Sequence, residues 1–499
     1  MKKYSVYRTL STFLFLLFLT VGVNSQQLNI PLNQQLFSSY ERQLLKSSNA
    51  QHYSFKPLRI DHALIGKDLK EIGLQVLDLK FKPTSYSFVK RKLMHEHLIL
   101  IDTANVQISI DPILNLEIGQ ENGTFAATNL FKNTRGFVVR SNIGKKFSFE
   151  SIFRENQASL PFYIAERIEL SNVAYGQGRV KKFKEKAYDF SMSSAYVSFS
   201  PIENINIRAG HGKHFIGNGQ RSLLLSDLSF NYPYLRVQTN WLNNRLEYQN
   251  LFTLFQDLNR LPFANSSEAL FERKRGSFHF LEYSLSDNLN IGLFEGLIWP
   301  SLDSGGKVPV GANYWLPVIF ANTLIEGGEG SGNSLIGLNT NMKVSSTLLV
   351  YGQLAFFDEE LKQFDYQLGM KWFFHNDWMF QIEYNQSDRN QSFNNYSNYN
   401  ESLTQPLIGV NETISALQFR KKRWISAFSA NYIIDAQAEI AFADLHQSYL
   451  VNPSNNLSLS IGVQFRDQKF TIQPYRPSSE SVYFYIGLRT NLQNLYFNY

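Results

Sequence analysis

The sequence predicts an all-β protein: a transmembrane antiparallel β-barrel preceded by a small N-terminal helical and irregular region. Three observations predict it. Runs of roughly nine to eleven residues alternate apolar and polar side chains along most of the chain, and a period of two marks strands with one apolar and one wet face. Such runs exceed the five or six residues of an ordinary strand and match a tilted membrane-crossing one. Aromatics make up 15% of the 499 residues, with 41 Phe and 26 Tyr, which suits strands and the interface girdles of membrane barrels.

In order, residues 1–25 carry Lys2, Lys3 and Arg8, then an apolar stretch from Phe13 to Leu19, then Val23-Asn24-Ser25. This is the pattern of a cleaved secretory signal peptide, and the stretch is short for a spanning helix. Three of the six net positive charges sit there, so the remainder is too mildly basic for nucleic acid. No cysteine is present, which excludes disulfides, thiolate metal sites and a lipidated cysteine.

Residues 26–95 form a separate region, expected to be a periplasmic extension or plug. Leu36, Tyr40, Leu44 and Leu45 recur at helical spacing, and a second helix is expected over Leu64–Leu77. His52 and His62 are expected to be solvated, because no ligand-spaced cluster surrounds them.

Residues 96–499 are expected to be the barrel. The alternating runs include Ala195–Phe199, Ile205–Ala209, Phe364–Trp372, Trp378–Tyr384, Leu457–Phe465 and Val482–Leu488. Only closure removes unpaired strand edges in lipid. The length allows about 16 to 20 strands. The aromatic end, Tyr496, Phe497 and Tyr499, fits a barrel handed to outer-membrane insertion machinery. Two long loops, Trp299–Asn333 and Asn385–Asn411, are expected to face outward, as binding surfaces or as solvated loops. The first is long enough to fold inward and plug the lumen.

Gly210–Asp227 is rich in glycine but has no phosphate-loop spacing. His211 and His214 lack a third metal ligand, and Ser226-Asp227 beside His214 makes no triad. Asp358, Glu359 and Glu360 could serve as paired acids, although adjacent acids at a strand end more often face solvent. No cofactor and no enzyme activity are expected.

AYVSFSPIENINIRAGHGKHFIGNGQRSLLLSD, from Ala195, followed by NYPYLRV, resembles the central signature of the Wzi-like capsule-assembly barrels. It is closer to their RemB-like group of gliding-motility outer-membrane proteins. NYWLPVIFANTLIEGGEGSGNSLIGLN, VYGQLAFFDEELKQF and NYNESLTQPLIGVNETISALQF look similar to the same group; Gln405 and Glu326–Gly330 depart from it. The resemblance implies a barrel of about eighteen strands in outer-membrane lipid, acting in surface-polysaccharide attachment or gliding. Its partners would be surface glycan and gliding or secretion machinery. Candidate ligand contacts are His211, Lys213, His214, Arg221, Asp227, Trp299, Tyr314, Trp315, Tyr396 and Tyr399. The alternatives are a diffusion porin and an accessory barrel of a secretion or motility machine.

Overall fold

Eighteen antiparallel strands, among the described residues, close a barrel. They are β1 (Val106–Gly123), β2 (Leu130–Ile143), β3 (Phe147–Ser159), β4 (Ala187–Ile202), β5 (Ile205–Gly212), β6 (Tyr232–Trp241), β7 (Leu246–Arg260), β8 (Phe271–Ser286) and β9 (Leu289–Asp303), followed by β10 (Asn333–Ser345), β11 (Leu348–Phe357), β12 (Phe364–Trp372), β13 (Trp378–Ser387), β14 (Val410–Lys421), β15 (Trp424–Ile434), β16 (Ala438–Asn452), β17 (Leu457–Phe470) and β18 (Ser479–Thr490). The ring shuts where β18 pairs β1, from Ser481↔Gly123 to Arg489↔Asn115. The computed structural model describes residues 28–47, 51–59, 86–126, 129–144, 146–184, 186–260, 271–303, 306–326, 333–357, 364–375, 377–387, 396–404, 409–435, 438–470, 478–490, 492 and 494. The leader at 1–25, the helix expected over Leu64–Leu77, Asp358–Glu360, Gln405 and the terminal Tyr496, Phe497 and Tyr499 lie outside these residues.

The alternation turns its apolar side outward. On β17, Leu459, Ile461 and Phe465 are exposed while Ser458 and Ser460 are buried. On β12, Phe364, Leu368 and Trp372 are exposed while Asp365, Gln367 and Lys371 are buried. A soluble protein would show the reverse, so the wall is built to face hydrocarbon. Ile461→Arg, near the middle of β17, is expected to cost about 2–4 kcal/mol when the protein folds into lipid vesicles. Denaturant titration checks this, and a cost below about 0.5 kcal/mol would mean that the wall faces water.

Turns alternate between two ends. One end has tight connections, such as Ile202 to Ile205, Ser286 to Leu289 and Lys421 to Trp424. The other carries the long loops. There the β3–β4 connection holds a helix, Phe162–Ser171.

Inside the barrel lie two inserts. The first is the N-terminal segment, whose helix α1 (Gln34–Lys46) starts at Asn33, where the side chain accepts from Leu36 N at 3.0 Å. Phe37, Leu44 and Leu45 are buried on it, as the helical spacing of apolar residues demands. The second is the β5–β6 connection, residues 213–231. The two inserts meet as a two-stranded antiparallel sheet, Phe55↔Ile216 and Lys56↔Phe215. Leu223, Leu224 and Leu225 are fully buried among Phe278, Phe280 and Phe294 from the inner wall.

The β9–β10 connection goes elsewhere. On β8, Glu282 faces the lumen, where it binds His52, so by parity Arg275, Ser277 and His279 face outward. On β9, Asn290 faces inward to Gln51, which puts Glu295 outside. Residues 308–326 pack on that outer face. Glu295 accepts from Phe320 N at 2.6 Å and from Thr323 Oγ1 at 2.6 Å. Arg275 donates to the carbonyls of Val308 and Pro309, and Tyr248 to that of Pro317. The described part of this loop, expected to face outward though long enough to plug the lumen, is therefore an external strap. The wall beneath it is polar, which draws the strap outward, and the lumen is already filled.

Candidate functional site: a plugged lumen with a side cavity

Luminal side chains of β11 to β14 grip the backbone of the 213–231 insert. Gln353 on β11 accepts from Leu223 N at 2.8 Å and donates to Ile216 O at 2.9 Å. Gln367 on β12 donates to Arg221 O at 3.0 Å. Glu383 on β13 accepts from Gln220 N at 2.7 Å and Arg221 N at 3.1 Å. Glu412 on β14 takes the Arg221 guanidinium in a forked pair, with Nη2 at 2.6 Å and Nε at 3.0 Å. Both partners are almost fully buried, 1% and 0% exposed at the side chain. Gly219 is required beneath them, since a Cβ there would lie 2.5 Å from Glu383 Oε2 and 2.9 Å from Arg221 O.

The N-terminal segment is anchored toward the tight-turn end. Glu41 pairs with Lys371 at 2.8 Å, Arg59 with Ser200 at 2.8 Å, and Lys56 Nζ with Gly217 O at 2.8 Å. His52, expected to be solvated, is buried between Glu282 at 2.9 Å and the Asn244 carbonyl at 2.8 Å. The reason is a long-range partner that local spacing cannot show. Burial disfavours its cation, but Glu282 and Glu247 outweigh burial and hold its pKa at about 9. A pKa raised above the ordinary 6.5 stabilises docking fully below pH 6.5, and that stabilisation is lost as pH rises through about 9. Protease nicking of the segment is therefore expected to rise between pH 7 and 10 in the native protein. The His52→Gln protein should lack this His52-dependent rise, and equal pH profiles for the two would refute the linkage.

The ten candidate residues separate into three places. Lys213, His214, Arg221, Asp227 and Tyr396 come together inside. His214 is buried against Tyr234 and hydrogen-bonds Tyr232 at 3.2 Å. Tyr396 donates to Leu224 O at 3.2 Å, and Asp227 accepts from Asn494 at 3.1 Å. Lys213 Nζ donates to the carbonyls of Gly176 and Asp227, while Gly176 N donates to Glu401 at 2.9 Å. Burial lowers the Lys213 pKa and raises that of Glu401. His211 and Tyr399 lie at the long-loop rim, on either side of Phe230. Trp299, Tyr314 and Trp315 cluster with Phe252 and the strap on the outer wall. The internal five are engaged in holding the insert.

Sequence reasoning did not single out the opposite side of the lumen. There β15, β16 and β17 present small inward residues, Ala427, Ser429, Ser448 and Ser460, and the insert does not reach them. A cavity of about 250 Å³ results, bounded by α1, the insert and strands β12 to β18. Asp444, His446, Gln464, Tyr485 and Arg489 line it. Gln35 contacts His446 at 2.6 Å, and His446 contacts Asp444 at 2.8 Å. Arg489 pairs with Glu117, which also binds Lys132 at 2.7 Å and Tyr483 at 2.8 Å. The signal was present in the sequence as small and charged residues on one strand face, but only the ring order places them together.

No family profile matches the chain, and no curated protein matches it. Solved outer-membrane proteins are similar to it in structure. Wzi of Escherichia coli is described as an outer membrane protein involved in group 1 capsule assembly and as a carbohydrate-binding β-barrel. It aligns with a TM-score of 0.53 at 11% identity, over 92% of this chain and 99% of Wzi. OccAB2 of Acinetobacter baumannii aligns at 0.42 and 11% identity, over 76% of this chain and 97% of its own. OprD of Pseudomonas aeruginosa aligns at 0.39 and 10% identity, over 77% and 96%.

Proposed function

We propose that this chain is a non-enzymatic integral barrel of the outer membrane that acts at the cell surface, in surface-polysaccharide attachment or in RemB-like gliding. Tight turns would face the periplasm and long loops the exterior. The observation that carries the reading is the occupied lumen. Two segments of the chain fill it, with buried ion pairs at Arg221–Glu412 and Lys371–Glu41. An open diffusion pore has no use for either. The likeness in fold to Wzi adds support. At the exterior rim, aromatic and amide groups such as Tyr399 and Asn400 suit sugars, whose apolar faces stack on rings while their hydroxyls bond to amides.

Deleting the coding sequence is expected to reduce retained surface polysaccharide or slow spreading on agar. Unchanged glycan together with unchanged spreading would overturn the reading. In planar bilayers the intact protein is expected to show no large steady conductance. The side cavity favours one second reading, a narrow solute-selective channel, and small steady openings would support that instead.

A further inference from the structure

We infer that the side cavity is a binding site for one small, uncharged, polyhydroxylated solute, of the size of a single sugar ring. It is internal and stands apart from the surface role proposed above.

The geometry of the polar groups carries this. Gln35, His446 and Asp444 form a chain of contacts that fixes the Asp444 carboxylate through Oδ2. Its other oxygen, Oδ1, is buried and has no hydrogen-bond partner among the described residues. Arg489 is fixed by Glu117 and lies over the Tyr485 ring at 4.3 Å, and its Nε is likewise buried without a partner. The Asp444 carboxyl and the Arg489 guanidinium line the cavity together with the hydroxyls of Ser429, Ser448 and Ser460 and the amide of Gln464. The lining offers both donors and acceptors, and a vicinal diol meets both, since each hydroxyl donates and accepts.

Charge and shape narrow the class. Arg489 is already neutralised by Glu117 and the carboxylate of Asp444 faces the space, so a bare anion gains little there. A bare cation would meet the guanidinium. The Phe442 ring lines the same space and offers apolar surface to one face of a sugar. Gly462 lets the Tyr485 ring lie flat on the wall, because a Cβ at that position would sit 2.5 Å from it.

The test uses the mature protein in detergent, titrated calorimetrically with D-glucose, D-galactose, myo-inositol and sodium phosphate in turn. At least one of the three polyols is expected to bind, and phosphate is not. Asp444→Asn should weaken that binding by about tenfold, and Ser460→Phe, which fills the cavity, should abolish it. Both variants must keep the heat-dependent gel shift of the folded barrel. Two further variants, Ser429→Leu and Asn400→Ala, separate the sites: the first narrows the cavity and should weaken binding, whereas the second changes an exposed side chain at the rim and should not. No polyol binding, binding of phosphate alone, or polyol binding that survives Ser460→Phe and Ser429→Leu would each overturn the inference. Because the readout is binding by purified protein, its failure leaves the surface role intact, and failure of the deletion phenotype leaves this site intact.

Discussion

Replacing Arg221 with alanine is expected to cost about 3–5 kcal/mol of stability. The change strands Glu412, which is fully buried and would face the lumen interior with its charge unmatched. It also removes the guanidinium that ties residues 213–231 to β14. Guanidinium titration of the detergent-solubilised protein measures the loss. The paired change Arg221→Met with Glu412→Leu is expected to recover most of it, because a buried ion pair replaced by apolar groups of similar size is often close to neutral. A loss below about 1 kcal/mol for the single change would show that the main-chain bonds from Gln353, Gln367 and Glu383 suffice to hold the insert.

Deleting residues 28–59, with residues 1–27 kept, is expected to turn a closed barrel into a conducting one. The segment blocks the tight-turn end through Glu41–Lys371, His52–Glu282 and Arg59–Ser200. Without it, Lys371 and Glu282 face a wet passage instead of a dry contact, so the wall itself has little reason to unfold. Single-channel recording should show steady steps where the intact protein shows none. A silent bilayer with a correctly folded variant would mean that the 213–231 insert seals the lumen alone.

The strand pattern was legible wherever one face met lipid and the other a polar interior. Phe364–Trp372 is read from the sequence with the bounds it has in the structure, and the hairpin around Pro201–Asn204 joins β4 to β5 as expected. Period two says which face a residue takes but not what it meets. Arg221 and Glu412 are 191 residues apart, and His52 and Glu282 are 230, so the charges that hold the inserts looked like ordinary luminal ones. The strands β7 to β9 were hard to read for a different reason. Their outward faces carry Asn250, Ser277, His279 and Glu295, joined by bonds such as His279 to Asn250 at 2.7 Å. Those residues break the apolar side of the alternation because they lie under the strap. The glycine-rich run at 210–227 was recognisable as unusual, and its content is now clear: Gly217 and Gly219 let backbone approach luminal amides and carboxylates closely.

The strap has a consequence for how the barrel sits among its neighbours. Glu295 lies six residues above the tight-turn end of β9, which is about 15 Å along the membrane normal for a tilted strand. An irregular segment therefore reaches halfway down the hydrophobic layer on one flank. Its outer surface, with Trp315, Val318 and Leu324 exposed, is what acyl chains or an adjacent protein would touch on that side. The molecule is thus lopsided in the plane of the membrane, its strap sector padded where β12 and β17 present bare sheet to the outside. Side-by-side packing in a crowded bilayer has a built-in orientation.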